Sequence, residues 1–281
     1  MHDATLRLLA ALRSSHPEHE AVIEAFTPLT LTRLALLERF ALKHKAKGNA
    51  TFPLLTVAEL PVCAEKSGIM AQEVLKAMQE GFPAVRTQLD ALAALTPAAV
   101  RTLCKARLSG NSGGADAEDA DSGEATLAAY AAKHALAAEL LEMLIAQVCC
   151  ILVARSAQAL PEAASIHPTE TERQCPYCGS EPELSVVHST EGKRDLLCAT
   201  CGRHWRYQRT ACAFCGTDEP GNIHLIFAEN TPEERAVQCS HCNRYLLEVD
   251  IRKRDLSLEE CQPLTLALGY LDILMQERQT D

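Results

Sequence analysis

At 281 residues the chain has room for two domains or one large one. Hydrophobic residues make up 47 % but aromatics only 4 %, so the core is built from Leu, Ala and Val, which suits helices. A formal net charge of −10 argues against general nucleic-acid binding, which works by neutralising phosphates.

The first 165 residues read as helical. Met1–Arg13 holds a short apolar run, LLAAL, with no basic segment before it and no small-residue cleavage site after it, so no secretory leader is expected. Pro28–Lys47 carries Leu29, Leu31, Leu34, Leu37, Phe40 and Leu42 at mostly three-residue steps, as a buried helix face would. Thr56-Val57-Ala58-Glu59 has the form of a capping box that starts the next helix. Thr96 before Pro97 supplies an N-cap and a proline at the first helical position. Ser109–Gly123 has four acids, no base and almost no apolar side chain. It cannot offset its ordering entropy by burial and is expected to be a disordered acidic loop, about residues 109–123. Glu124–Arg155 lacks Gly and Pro and reads as one long helix. Its most apolar part, Leu140–Val153, contains Glu142 and Gln147 and is short of a bilayer span, so no membrane insertion is expected. Ala159–Glu172, with Pro161 and Pro168, reads as a linker.

From Arg173 the pattern changes to short runs of branched and aromatic residues. Asp195–Cys198, Arg203–Gln208, Ile223–Ala228, Arg235–Cys239 and Tyr245–Ile251 read as strands of two small β-ribbons. Ser257-Leu258-Glu259-Glu260 is another capping box, opening a terminal helix to about Arg278. Leu264, Leu268, Leu271 and Met275 share one side of it, a stripe expected to pack on the N-terminal helices.

Eight of the thirteen cysteines lie in this region as four CxxC pairs: Cys175/Cys178, Cys198/Cys201, Cys212/Cys215 and Cys239/Cys242. Two residues between cysteines let one tight turn aim both sulfurs at one ion, and a second turn about twenty residues later completes a tetrahedron. Sequential pairing gives one site from the first two pairs and another from the last two; interleaved pairing would need a cross-braced fold. Gly179, Gly202, Gly216 and Asn243 follow the four turns, as expected where the backbone needs φ > 0. Each turn is thus a rubredoxin-type knuckle. Four sulfurs leave no open position for water or substrate, which points to a structural site. Zinc and iron suit such a set equally. In a cytoplasmic setting paired CxxC turns favour metal over disulfides.

Cys63, Cys104, Cys149, Cys150 and Cys261 sit in apolar, mostly helical stretches and read as buried, inert thiols. His204 and His241, beside the knuckles, are not expected to be ligands. Lys193, Arg194, Arg203, Arg206 and Arg209 interleave with Trp205 and Tyr207, a pattern that would suit base stacking or a solvated ribbon.

The stretch Cys198-x2-Cys201-x3-Trp205-x3-Arg209-x2-Cys212-x2-Cys215, with the opening Cys175-Pro176-x-Cys178-Gly179-Ser180, resembles the formate dehydrogenase accessory proteins, the FdhE family. Cys239-x2-Cys242-x2-Tyr245-Leu246 and the terminal helix around Asp272 fit as well, so the resemblance covers about residues 173–275. In the N-terminal half Thr32-Arg33-Leu34-Ala35-Leu36-Leu37 is a partial echo of a family helix. The resemblance implies a cytoplasmic, non-catalytic maturation factor that binds the catalytic subunit of a formate dehydrogenase. It also implies rubredoxin-like, iron-binding modules, with the eight knuckle cysteines as ligands of two metal ions, Fe or Zn.

The expected fold is α+β. It comprises a helical domain over 1–165, two tandem rubredoxin-like (zinc-ribbon) β modules over 173–210 and 211–255, and a C-terminal helix over 256–281. Two other functions compete with the accessory role: an iron-based redox protein, and a zinc-ribbon nucleic-acid binder, which the acidic total disfavours. A homodimer is a further expectation.

Overall fold

The computed structural model describes residues 2–42, 48, 51–110, 121–160, 172–227 and 229–280. The chain divides into two compact units: Asp3–Ile23 with Pro161–Asp281, and Glu24–Leu160. The first helix, α1 (His2–Ser15), therefore clusters with the cysteine-rich half, where 1–165 was expected to form one helical domain. The boundary falls inside the second helix, α2 (Glu20–Arg39).

The helical unit holds most of α2, α3 (Ala64–Gly81), α4 (Arg86–Leu92), α5 (Pro97–Gly110), α6 (Asp121–His134) and α7 (Ala138–Gln158). Pro28 lies within α2 instead of opening a helix. Thr56-Val57-Ala58-Glu59 closes only a 3-10 turn, Val57–Glu59, with no side-chain cap from Thr56. The Thr96 cap does form: its hydroxyl accepts the Ala99 N–H at 3.2 Å. Gly68 lets α3 approach α5 closely, since a Cβ there would sit 2.8 Å from Pro97 Cβ. Residues 111–120 of the acidic loop lie outside the described residues, and α5 and α6 take its two ends.

The long helix expected over Glu124–Arg155 breaks between α6 and α7. Ala135 adopts φ 51°, and the Leu136 N–H bonds to the Ala131 carbonyl at 2.9 Å, a Schellman-type close. Glycine or asparagine would advertise such a break in sequence; alanine does not. By length and mean hydropathy, 1.8, α7 is apolar enough to cross a membrane, yet 67 % of its apolar window is buried inside the fold. Leu141, Leu144, Ile145 and Val148 fill the core of this unit.

The other unit is built on one mixed six-stranded sheet, in the order β3-β2-β1-β6-β5-β4. Its strands are β1 (Pro182–His188), β2 (Lys193–Cys198), β3 (His204–Arg206), β4 (Ile223–Phe227), β5 (Glu234–Cys239) and β6 (Tyr245–Asp250). Each ribbon is antiparallel within itself. The two ribbons, tandem in sequence, join edge to edge in this one sheet. β1 runs parallel to β6, pairing Ser185 with Glu248, Val186 with Val249 and Val187 with Asp250. β1 was not anticipated: it opens on a proline, and its apolar residues, Leu184, Val186 and Val187, are interrupted by Ser185.

On one face of the sheet, Leu184, Val186, Leu197, Val249 and Ile251 pack with Leu9, Leu12 and Ile23 from the N-terminus and Leu264, Leu268 and Leu271 from the C-terminus. Each such side chain contributes about 1.5–3 kcal/mol by leaving water. The terminal stripe thus packs on the sheet, by way of α8 (Leu264–Ala267) and α9 (Gly269–Thr280). Glu260 caps Ser257 as expected, accepting its N–H at 2.9 Å, but the box opens a 3-10 turn, Leu258–Glu260.

Candidate metal centres

The four CxxC turns share one backbone geometry. The N–H of each first cysteine bonds to the carbonyl five residues on: Cys175 to Ser180, Cys198 to Arg203, Cys212 to Thr217 and Cys239 to Arg244, all at 2.8–2.9 Å. Each turn then needs a left-handed residue just after its second cysteine. Gly179, Gly202 and Gly216 have φ of 79°, 68° and 80°, and Asn243 has 54°. The sequence expectation of φ > 0 at these positions holds.

The structure pairs the turns in sequence order. Cys175, Cys178, Cys198 and Cys201 form one cluster, Cys212, Cys215, Cys239 and Cys242 the other, and in each all four sulfurs lie within 4.8 Å of one another. Sulfurs from facing knuckles stand 3.6 and 3.4 Å apart in the first cluster and 3.7 Å apart, twice, in the second. A tetrahedron with metal–sulfur bonds of about 2.3 Å has edges of about 3.8 Å. The donor set therefore fits a tetrahedral ion such as zinc or iron.

Backbone donors are already aimed at the sulfurs. Thr200 and Cys201 N–H groups reach Cys198 Sγ at 3.3 and 3.4 Å, and Phe214 N–H reaches Cys212 Sγ at 3.4 Å. Such bonds spread thiolate charge. Burial pushes the Cys175 and Cys201 thiols well up, whereas hydrogen bonds from Cys175 and Cys198 pull Cys178 down. Burial pushes Cys242 up to about 12. Four thiols this close cannot all ionise on their own; a dication would remove that conflict.

The clusters differ in exposure. All four cysteines of the first are buried, whereas Cys215 and Cys242 of the second are partly exposed.

Each cluster carries a brace that sequence reasoning missed. The Arg203 guanidinium lies 4.4 Å above the Tyr177 ring, and Arg244 lies 3.6 Å above Phe214. The signal was present: an aromatic precedes the second cysteine of Cys175-Pro-Tyr-Cys178 and Cys212-Ala-Phe-Cys215, and an arginine follows Gly202 and Asn243. Arg244 also grips Glu181 through both nitrogens, at 2.8 and 2.6 Å.

The basic cluster offers no stacking platform. Trp205 and Tyr207 are buried, with Trp205 Nε1 donating to the Glu172 carbonyl at 2.7 Å and the Tyr207 hydroxyl to the Cys212 carbonyl at 2.8 Å. Arg194 is buried against Glu248, Arg206 pairs with Asp195, and Lys193 pairs with Glu191. Arg209 rests on the β1–β2 turn, where a Cβ on Gly192 would lie 2.5 Å from its Nη1. His204 is half-buried, and neither it nor His241 joins a sulfur cluster. Among the remaining cysteines Cys104, Cys149 and Cys261 are buried, Cys150 is half-buried, and Cys63 is exposed, contrary to expectation. It lies at the entrance to α3, outside the helix's buried stripe.

Residues 174–209, which hold the first cluster and most of the Cys198–Cys215 motif, match the family description "FdhE, central domain". Over this segment the chain is similar to the FdhE proteins. A protein called FdhE homolog from Aquifex aeolicus is 31 % identical over 115 residues, 40 % of this chain and 40 % of that protein. One from Haemophilus ducreyi is 36 % identical over 128 residues, 43 % of this chain and 39 % of that protein. The chain thus matches about two fifths of the length of these family members. A crystal structure of the FdhE protein from Pseudomonas aeruginosa superposes with a TM-score of 0.59 at 20 % identity, covering 99 % of this chain and 92 % of that one. The shared fold therefore extends through the helical half.

Proposed function

We propose that this chain is an FdhE-family protein, a cytoplasmic accessory factor in the maturation of formate dehydrogenase. It binds the catalytic subunit of that enzyme, holds one metal ion at Cys175, Cys178, Cys198 and Cys201 and a second at Cys212, Cys215, Cys239 and Cys242, and performs no chemistry of its own. The observation that carries this reading is the pair of four-sulfur clusters on one sheet. When metal-filled, each is closed to water and substrate. The ions would fix the knuckles and so stiffen a docking scaffold. Co-purification of the catalytic subunit with the tagged chain is the expected result. Normal formate dehydrogenase activity in a strain lacking the gene would sink the proposal.

The partial exposure of Cys215 and Cys242 favours one second reading, an iron centre that exchanges electrons at that cluster. Visible Fe³⁺–thiolate absorption in aerobically purified protein is its expected sign. A colourless protein holding two zinc ions per chain removes it. Nucleic-acid binding loses its main support, since Trp205 and Tyr207 face the interior.

A further inference from the structure

The sheet has two edges, and they are built differently. β3 is three residues long and carries Arg206, the short, charged form in which proteins guard an open edge. β4, at the other end, reads Ile223-His224-Leu225-Ile226-Phe227, with no Lys, Pro, carboxylate or bulge. It pairs on one side only, with β5.

The register fixes which backbone groups point outward. The Asn222 carbonyl accepts the Ser240 N–H at 2.9 Å. Bonded pairs alternate along an antiparallel ladder, so His224 and Ile226 turn their N–H and C=O groups toward β5. Ile223, Leu225 and Phe227 turn theirs away, and no backbone bond among the described residues takes them. Their side chains share the sheet face opposite the one packed with Leu184, Val186 and Val249. Leu225 is 50 % and Phe227 48 % exposed, so the edge is open in backbone and side chain alike. Arg235, the charge beside Phe227, is engaged by Glu248 Oε1 at 2.7 Å.

The order of residues in β4 identifies the occupant. Turned about a two-fold axis at Leu225, the strand is its own antiparallel complement: Leu225 meets Leu225, and Ile223 meets Phe227 at both ends. All three are bonded pairs, which gives about six hydrogen bonds and uses every outward group. Continued past the strand ends, the same register sets Glu229 opposite Gly221, Glu219 opposite Thr231 and Asp218 opposite Pro232, so the flanking acids do not face one another. On the other face His224 meets Ile226.

We propose that β4 pairs with β4 of a second copy of this chain, joining the two sheets into one across an isologous two-fold interface. This pairing is independent of the accessory-factor reading above.

The test uses the full-length, metal-loaded protein. Sedimentation velocity over a concentration series is expected to show a monomer–dimer equilibrium. Leu225→Lys and Leu225→Glu each set like charges against each other at the two-fold axis. Each should weaken dimerisation at least ten-fold, with metal content unchanged. Mixed in equal amounts, the two variants should pair with each other, because residue 225 faces only itself in this register. Unfolded variants could not recover in this way. A wild type that stays monomeric at the highest soluble concentration overturns the proposal. So does a dimer indifferent to both variants, or a failure of the mixed variants to associate. If the chain is monomeric and Leu225→Lys abolishes retention of the formate dehydrogenase catalytic subunit, the edge takes a strand of that subunit and self-pairing is overturned.

Discussion

Arg194 on β2 and Glu248 on β6 meet across the intervening strand β1, with Nε 3.2 Å from Oε2 and both side chains almost wholly buried. Ser185 of β1 sits between them, accepting from Arg194 Nε at 2.7 Å and donating to Glu248 Oε2 at 2.6 Å. Arg235 completes the cluster on Glu248 Oε1 at 2.7 Å. These bonds straddle the parallel seam that fuses the two ribbons. Glu248→Ala strands the buried Arg194 guanidinium and should cost about 3–5 kcal/mol, whereas Arg194→Ala leaves Glu248 its Arg235 partner and should cost less. The double variant should cost less than the sum of the two by more than about 1 kcal/mol. Denaturant titration of the metal-loaded protein measures both.

The unequal exposure of the clusters predicts unequal metal retention. Under a chelator the two ions should leave in separate phases, with Cys215 and Cys242 the first thiols to become alkylated. Cys242→Ser should halve the bound metal and spare the first site. Cys198→Ser should halve it and also lower the melting temperature more, because the first knuckles lie deeper. Both ions should dissociate as pH falls, since protons compete for thiolate ligands. Release in one phase, with all eight cysteines labelled together, would refute the difference.

The arginine–aromatic braces predict a smaller effect. Arg244→Met removes the cation over Phe214 and the grip on Glu181. A partly exposed contact of this type is worth about 0.5–1 kcal/mol. Metal loss from the second site should quicken by a few-fold, with the first unchanged. Arg203→Met should act the same way on the first site alone.

Gly179 at φ 79° and Asn243 at φ 54° predict opposite outcomes. Gly179→Ala forces a Cβ into the left-handed region and should cost about 1–2 kcal/mol. Asn243→Gly should be neutral or slightly stabilising. Melting temperatures of the metal-loaded variants decide this.

Asp250 predicts a pH dependence. The Arg252 guanidinium beside it, bonded at 2.6–3.0 Å, holds its carboxyl below the usual carboxylate range. Because the folded value is the depressed one, the stabilisation is complete above the ordinary carboxylate range. It is lost as pH falls through that range toward the folded value. Asp250→Asn should flatten stability below about pH 5 relative to wild type.

The spacing of the cysteines specified the four knuckles, because a two-residue gap and a left-handed residue after it fix each one locally, while the fold decided that they pair in sequence order. Runs of branched and aromatic residues located the strands, except β1, and Thr96 before Pro97 marked a helix cap. Other features depend on contacts distant in sequence. The β1–β6 pairing joins residues about sixty apart, and its hydrogen bonds leave no local trace. The break at Ala135 rests on a residue with no sequence signature for φ > 0. Arg194 and Trp205 look like a surface patch in sequence, and only burial across three strands makes them interior. The same holds for His16, Glu234 and Arg254, which come together because α1 joins the cysteine-rich half. Local chemistry thus specified the metal-binding turns, while tertiary packing decided which surfaces remain for a partner.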